Sequence, residues 1–292
     1  MFAPALLRTL VAVCETGSFD LAAAQLGVTP PAVSQRMRAL AEAAGGSIFA
    51  RLQPAEPTAL GLRLLRHARD VAALQADLAA DLGQDSGPRP VSVAINADSL
   101  EAWAVPALAE APGFRLDVQV LDQDHSAAVL RRGEVSAALT SEAEALPGCD
   151  VHRLGALRYL ACCTPAFHAR YFAEGVTAQA LDRAPMLQFS EMDGLQARWA
   201  RSLTGHHPHG PVHRVPAPGP FLQATRLGMG WGTNPEGLIE VDLARGTLVP
   251  LVPERPLDTP LYWQVSRIMA PVLAPLTEAM RRHARRALRQ AA

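Results

Sequence analysis

Between Thr58 and Leu82 small and apolar residues recur at alternating spacings of three and four: Gly61, Leu64, Ala68, Val71, Leu78 and Leu82, with Gln75 among them. That spacing predicts one long helix with a heptad-like seam, about 37 Å long at 1.5 Å per residue. The turn-forming run Gly83-Gln84-Asp85-Ser86-Gly87-Pro88 closes it. The chain therefore divides into an N-terminal unit at 1–57, a connecting helix at 58–82, a hinge at 83–90 and a C-terminal domain at 91–292. A seam without a neighbouring helical segment favours pairing with a second copy, so a homodimer is expected, with a homotetramer open. In that reading Gln75 fixes register, and Arg63, Arg66, Arg69, Asp70, Asp77 and Asp81 largely supply the polar faces. Packing on its own domain is the alternative.

Before the seam, Leu6, Leu7, Leu10, Val11 and Val13 mark a first helix, stopped at Gly17-Ser18. Residues 21–26 form a short second helix closed by Gly27. Thr29 stands at the N-cap of a third, with Pro30 and Pro31 where the first turn tolerates proline, and Gly45-Gly46 ends it. Short helices joined by a glycine-containing turn make a helix-turn-helix pattern. On the third helix Val33, Met37 and Leu40 share one face, leaving Pro31, Ser34, Gln35 and Arg38 on the other. That outward set suits a major groove: Thr29 and Ser34 for phosphates, Gln35 and Arg38 for base edges. An ordinary solvated helix face is the plain alternative.

Charge constrains this reading. The chain carries 27 basic residues, all arginine, and 28 acidic ones, for a net charge of −1. Residues 1–82 hold seven arginines and seven acids. Bulk attraction to a polyanion is absent, so Arg36, Arg38 and Arg51 must be concentrated on one side.

After the hinge, strand-like runs alternate with helices at 91–96, 115–122, 135–140, 158–164, 185–189, 212–216 and 261–266, which indicates an α/β domain of mainly parallel strands. Ligands in such sheets sit beyond the strands' carboxyl ends. Asn96, Asp98 and Ser99 follow the first strand, Asp122 and Asp124 the second, and Thr140 ends the third. Free N–H groups near Ser99 favour a carboxylate and Asp98 a cation, although Asp98 as a helix cap is the competing reading. Trp231 in Gly228-Met229-Gly230-Trp231-Gly232 could wall the pocket or merely pack.

Residues 18–51 carry a resemblance. Ser18-Phe19, Ala22-Ala23, Val28-Thr29, Ala32-Val33-Ser34-Gln35-Arg36-Met37-Arg38 and Ile48-Phe49-Ala50-Arg51 resemble the winged helix-turn-helix of LysR-type transcriptional regulators. By that resemblance 46–57 is the wing, Arg51 a phosphate or minor-groove contact, and Thr29, Pro30, Pro31, Ser34, Gln35, Arg36 and Arg38 the DNA-binding set. Asn96-Ala97-Asp98-Ser99-Leu100, Leu121-Asp122-Gln123-Asp124-His125, Gly228-Met229-Gly230-Trp231-Gly232 and Pro260-Leu261-Tyr262-Trp263 resemble the ArgP/LysG branch, whose members sense lysine and arginine and control amino-acid exporter genes.

The resemblance implies an effector domain of two Rossmann-like subdomains, like type II periplasmic binding proteins: one at about 91–163 and 265–292, the other at about 164–264. Its cleft would hold a basic amino acid through Asn96, Asp98, Ser99, Asp122, Asp124, Thr140 and Trp231, with no cofactor. Double-stranded DNA is the implied partner, and RNA polymerase a further one. The chain departs from the branch at 189–193, 215–219 and 233–235, so a different small effector is the alternative, and Glu191, if it faces the cleft, keeps a cationic ligand while weakening carboxylate recognition.

An enzyme and a periplasmic solute-binding protein are the rival classes. Residues for a GxSxG elbow, Walker loop, dinucleotide fingerprint or HExxH do not occur in those patterns. His206, His207, His209 and His213 lie in a Gly/Pro-rich loop without helical ligand spacing, so no metal is expected. Cys14, Cys149, Cys162 and Cys163 show no CxxC pair, and the opening segment lacks a basic start with Arg8 interrupting its apolar run. Reduced cysteines, a cytoplasmic location and no membrane partner are the expectations.

Overall fold

The computed structural model describes residues 2–84, 87–121 and 123–290, and the side chains of all of these but 123–125. Three helices open the chain: α1 (Pro4–Thr16), α2 (Phe19–Leu26) and α3 (Pro30–Ala44). Ser18 caps α2 by accepting from Leu21 N, and Gly17, Gly27 and Gly45 close the three helices in the left-handed conformation that glycine enters freely. Two short antiparallel strands, β1 (Phe49–Leu52) and β2 (Ala55–Pro57), form the wing. Leu10, Val13, Ala22, Val33, Met37, Leu40 and Ile48 are buried together, so the apolar face expected of α3 is its packed face.

The connecting helix α4 (Ala59–Asp81) is one unbroken element with Thr58 at its N-cap. Its seam does not present one face throughout. Gly61, Leu64 and Ala68 are buried in the N-terminal core, whereas Leu78 and Leu82 are exposed with Gln75 and Leu74. A different face docks on the chain's own C-terminal domain. Ala73 and Ala76 are buried, Arg69 Nη1 donates to Ser92 Oγ at 3.3 Å, Ser136 Oγ donates to Asp70 at 3.4 Å, and Arg89 pairs with Asp77 at 3.0 Å. The polar residues assigned to solvated faces are thus partly an intrachain dock, because the first strand of the next domain runs back along α4.

Gly61 marks the tightest approach of α4 to the wing. A Cβ there would fall 2.2 Å from Ile48 O and 3.0 Å from Pro57 Cβ. Gly61→Ala is expected to lower stability by about 2 kcal/mol in a urea melt, because overpacking against a backbone carbonyl costs about 3 kcal/mol and better helix propensity returns about 1. A variant as stable as the parent would contradict this close approach.

The C-terminal domain contains β3 (Arg89–Ile95), α5 (Ala97–Ser99), a π-helical turn at Leu100–Ala104, α6 (Val105–Ala109), β4 (Phe114–Val120), α7 (Gln123–Arg132), β5 (Ala137–Thr140) and β6 (Cys149–Cys163). There follow α8 (Pro165–Tyr171), α9 (Ala178–Arg183), β7 (Met186–Gln188), α10 (Leu195–Thr204), β8 (Val212–Arg214), α11 (Pro218–Arg226), β9 (Gly232–Pro235) and α12 (Glu236–Arg245). The chain closes with β10 (Val249–Pro250), β11 (Leu257–Ser266) and α13 (Ala274–Ala287). The large sheet runs β10-β6-β11-β5-β3-β4, with β9 also on β6.

This sheet is mixed rather than mainly parallel. β3 is parallel to β4 and β5, but β11 is antiparallel to β5 and β6, and β9 and β10 are antiparallel to β6. The reason is the pair β6 and β11, which cross between two lobes in opposite directions. Around Trp103, Tyr159, Trp263 and α13 lies one core, and around Phe172, Trp199 and Trp231 another. All four cysteines are free, and burial pushes the thiols of Cys162 and Cys163 up to about 12. Among the described residues no helix is long and apolar enough to cross a membrane.

Candidate functional site

Two surfaces carry chemistry. On the first, α3 exposes Pro30, Pro31, Gln35 and Arg38, with Ser34 half-buried. Thr29 is exposed at the N-cap and its hydroxyl makes no capping bond. Arg38 Nε lies 3.5 Å from Ser34 O one turn back. In the wing, Arg51 pairs with Glu56 at 3.1 Å, an exposed contact worth about 0–1 kcal/mol and easily exchanged for another anion.

Arg36, expected in the DNA-binding set with Arg38 and Arg51, is placed differently from them. It is half-buried, and its Nη1 donates to Thr9 Oγ1 of α1 at 3.2 Å. Its position follows from the helix period: residue 36 is three after Val33 and four before Leu40, both buried, so it flanks the packed face.

The second surface is a cleft between the two lobes, with a cavity of about 570 Å³. Asn96 and Asp98 line it from the end of β3, and Phe189, Gln196, Phe221 and Thr233 from the other lobe. Asp98 is half-buried and accepts from Tyr159 Oη at 2.8 Å. It stands in the first turn of α5, whose N-cap is Asn96. Across the cleft the carboxylate of Asp193 accepts from Phe189 N at 2.9 Å and Leu195 N at 3.0 Å, which ties down the loop before α10.

Several polar atoms here are buried and unpartnered among the described residues: Asn96 Oδ1, Thr233 Oγ1 and both amide atoms of Gln196, a side chain only 1% exposed. Gln196 and Thr233 line the cavity together with Asn96 and Asp98, so its wall carries polar side chains from both lobes, as suits a polar ligand. Arg132 and Arg198 line the same cleft, Arg132 held by Glu134 and Arg198 exposed.

Not every expected residue reaches the cavity. Ser99 is fully buried, with its hydroxyl unpartnered, and does not line it. Thr140 is also fully buried and within 3.5 Å of Gln264 Nε2, because β5 lies inside the sheet with its end paired to Tyr262 of β11. Trp231 is 0% exposed and packs on Trp199 with ring centroids 5.4 Å apart, so it is a core residue rather than a wall of the pocket. Asp122 lies outside the described residues, as does the side chain of Asp124. Glu191 is exposed and does not line the cavity, so it adds no charge there.

Gln196, Arg198 and Phe221 were missed at the sequence level, and Phe189 and Thr233 were marked only as lying in runs that depart from the branch; all five come from the second lobe. A further signal was that Phe189 and Ser190 follow a strand-like run.

The histidine loop is a structural cluster. His206 Nε2 is 3.1 Å from Asp182, and His209 N donates to Asp182 at 2.7 Å. The backbone N–H of His209, helped by His206, holds the Asp182 carboxyl below its ordinary range. Among the described residues no group of three or more His, Cys, Asp or Glu could hold a metal ion.

Comparison with known proteins adds to this geometry. Residues 4–62 match the bacterial regulatory helix-turn-helix of the LysR family, and residues 84–288 match the LysR substrate binding domain. The chain is 40% identical over 290 residues to the lysine export transcriptional regulatory protein LysG of Corynebacterium efficiens, covering 98% of this chain and 99% of that one. Among solved structures it resembles the crystal structure of ArgP from Mycobacterium tuberculosis, with TM-score 0.87, 38% identity and full coverage of both chains. It also resembles full-length LysG from Corynebacterium glutamicum with bound effector Arg, with TM-score 0.73 and 37% identity, covering 98% of this chain and 99% of that one.

Proposed function

This chain belongs to the LysR family of transcriptional regulators, and from that premise we propose that it binds two-fold related promoter DNA and responds to a basic amino acid. As a member of a family of regulators it is not an enzyme, and its helix-turn-helix implies DNA binding. The domain limits of this reading are 1–57 for the winged helix-turn-helix, 58–82 for the linker helix, 83–90 for the hinge and 91–292 for the effector domain. The α13 helix, packed with Trp263, belongs to the first lobe.

In this reading Gln35 and Arg38 read base edges, while Thr29, Ser34 and Arg51 contact phosphates, with Pro30 and Pro31 setting the entry of α3 into the groove. Two copies are joined along α4, whose exposed Leu74, Leu78 and Leu82 follow one another at helical spacing. The assembly works in the cytoplasm without a cofactor, and DNA bend or contact with RNA polymerase is its output.

The observation that carries the effector assignment is the cleft, which Asn96 and Asp98 line from one lobe and Gln196, Arg198 and Thr233 from the other. Lysine and arginine each bring a side-chain cation and an α-carboxylate. Asp98 accepts from the cation, and Arg198 pairs with the carboxylate. The relative solved with bound Arg supports this choice. Arg132 and Arg198 on the same cleft favour the second reading, an effector without the side-chain cation. In either case the ligand acts only by binding two assembly states unequally.

The test is DNA binding to the protein's own upstream region, titrated at fixed salt with lysine, arginine and an uncharged amino acid. A footprint that changes only with the basic amino acids is expected; a change with the uncharged one alone overturns the effector assignment. On the DNA side, Gln35→Ala and Arg38→Ala each cost about 1–3 kcal/mol and relax base preference at one position in a selection experiment. Unchanged preference in both variants rejects this face as the reader.

A further inference from the structure

A second cavity, of about 390 Å³, opens where α4 meets the first lobe. Three arginines line it, Arg66 from α4, Arg131 from the last turn of α7 and Arg267 just beyond β11, and among the described residues no carboxylate does. The rest of the wall is uncharged and includes Gly148, Cys149 and Ser266. The acids that pair with these arginines stand outside the lining: Asp70 is 3.4 Å from Arg66, Glu142 4.0 Å from Arg131 and Asp150 3.1 Å from Arg267. A guanidinium has five N–H donors in a planar fork, and one carboxylate occupies only part of it.

Neighbouring structure holds this arrangement. The Arg66 guanidinium lies over Gly133, where a Cβ would fall 1.8 Å from Nη1, so the glycine that closes α7 also gives the arginine its room. Arg267 Nη2 donates to Cys149 O at 3.2 Å. The carbonyls of Val129 and Leu130 at the end of α7, which would repel an anion, are taken by Glu134 N at 2.9 Å and Gly133 N at 3.0 Å. Burial raises the pKa of the Cys149 thiol; the charge of Arg66 opposes it, Asp150 adds to it and Arg267 opposes it, so two of the three cations and one of their partner acids act at this point of the wall.

We propose that this cavity is an anion site for a small dianion of the phosphate class, free or carried as a monoester, clasped between the linker helix and the effector domain. Converging guanidinium forks are the arrangement that recognises phosphate oxygens through several charge-assisted bonds. Because Arg66 belongs to α4 and the other two belong to the effector domain, the bound anion ties the helix that carries the winged helix-turn-helix to that domain. It therefore favours the docked arrangement over any in which α4 moves away, and anion binding and DNA binding are coupled. This assignment is independent of which effector fills the large cleft.

The test is calorimetric titration of the intact protein with inorganic phosphate at pH 8 and fixed ionic strength, expected to show one saturable site per chain. Arg131 and Arg267 are 60% and 67% exposed, so Arg131→Gln and Arg267→Gln keep the fold. Each is expected to weaken phosphate binding at least tenfold. Arg198→Gln in the large cleft and Arg38→Ala on α3 leave it unchanged. Ethyl phosphate titrated in parallel separates the sources: tighter binding than phosphate assigns the site to a phosphoryl group on a larger molecule, and weaker binding assigns it to the free anion. Absence of saturable binding, or binding that R131Q and R267Q leave intact, overturns the proposal.

Discussion

Asp98→Ala is expected to remove the response of DNA binding to lysine and arginine while leaving ligand-free DNA binding as in the parent. Truncating one partner of a hydrogen-bonded charge pair costs about 2–5 kcal/mol when the pair is desolvated, and 2 kcal/mol is roughly thirtyfold in affinity. Asp98 is half-buried, so the lower end of that range applies. The carboxylate also accepts from Tyr159 Oη, and Tyr159 is 1% exposed, so the alanine variant removes a hydrogen bond to a buried side chain and loses some stability. Tyr159→Phe separates the two effects: it keeps the carboxylate and is expected to shift effector affinity far less than D98A does. A normal effector response in D98A, measured as a footprint against arginine concentration, would return Asp98 to a purely structural role.

Trp231→Ala is expected to have the largest effect on stability, a loss of about 3–5 kcal/mol, as for other fully buried aromatic side chains. The indole is completely enclosed, packs on Trp199, and lies in a core with Phe172 and Leu181. Its backbone bridges β7, since Trp231 N donates to Pro185 O and Leu187 N to Trp231 O, so the same residue joins the small sheet to the strand that carries Thr233. Trp231→Phe keeps most of the apolar volume and is expected to retain the full effector response with a smaller loss of stability. Retained stability with a lost response in that variant would put the indole back among the ligand contacts. Urea unfolding of both variants, with the effector titration repeated on the folded protein, distinguishes these outcomes.

How far the sequence could be read varied with the range of the interactions involved. Val33, Met37 and Leu40 are buried as their spacing requires, because a face of one helix is set by a 3.6-residue period. The same period, applied with Leu40 as well as Val33, would have placed Arg36 beside the packed face. The end of β3 was found because a strand followed at once by a helix start is a local signal. Gln196, Phe221 and Thr233 carry no such signal: they lie on α10, α11 and β9, and meet Asn96 and Asp98 only after the lobes close on one another. Thr140 and Trp231 failed for the converse reason. One ends a strand and the other sits among glycines, but β11 and Trp199, far along the chain, enclose them.

Apart from the wing, which came only through the family resemblance, the sequence by itself determined the local order: three short helices stopped by glycines, a long helix expected at 58–82 and found at 59–81, and a βα-rich domain after it. Composition and period suffice for these, since caps, turns and amphipathic faces act over a few residues. The tertiary structure alone decided which way β6 and β11 run, and which face of α4 is spent on the chain's own effector domain. It also decided which residues of the second lobe line the cleft and which arginines line the second cavity beside α4. Those outcomes depend on contacts between residues tens to more than a hundred positions apart, as in Arg69 with Ser92, Asp70 with Ser136 and Leu146 with Gln264. No short-range pattern encodes such contacts, because each side chain's burial and charge environment is supplied by a segment that its own neighbours do not specify.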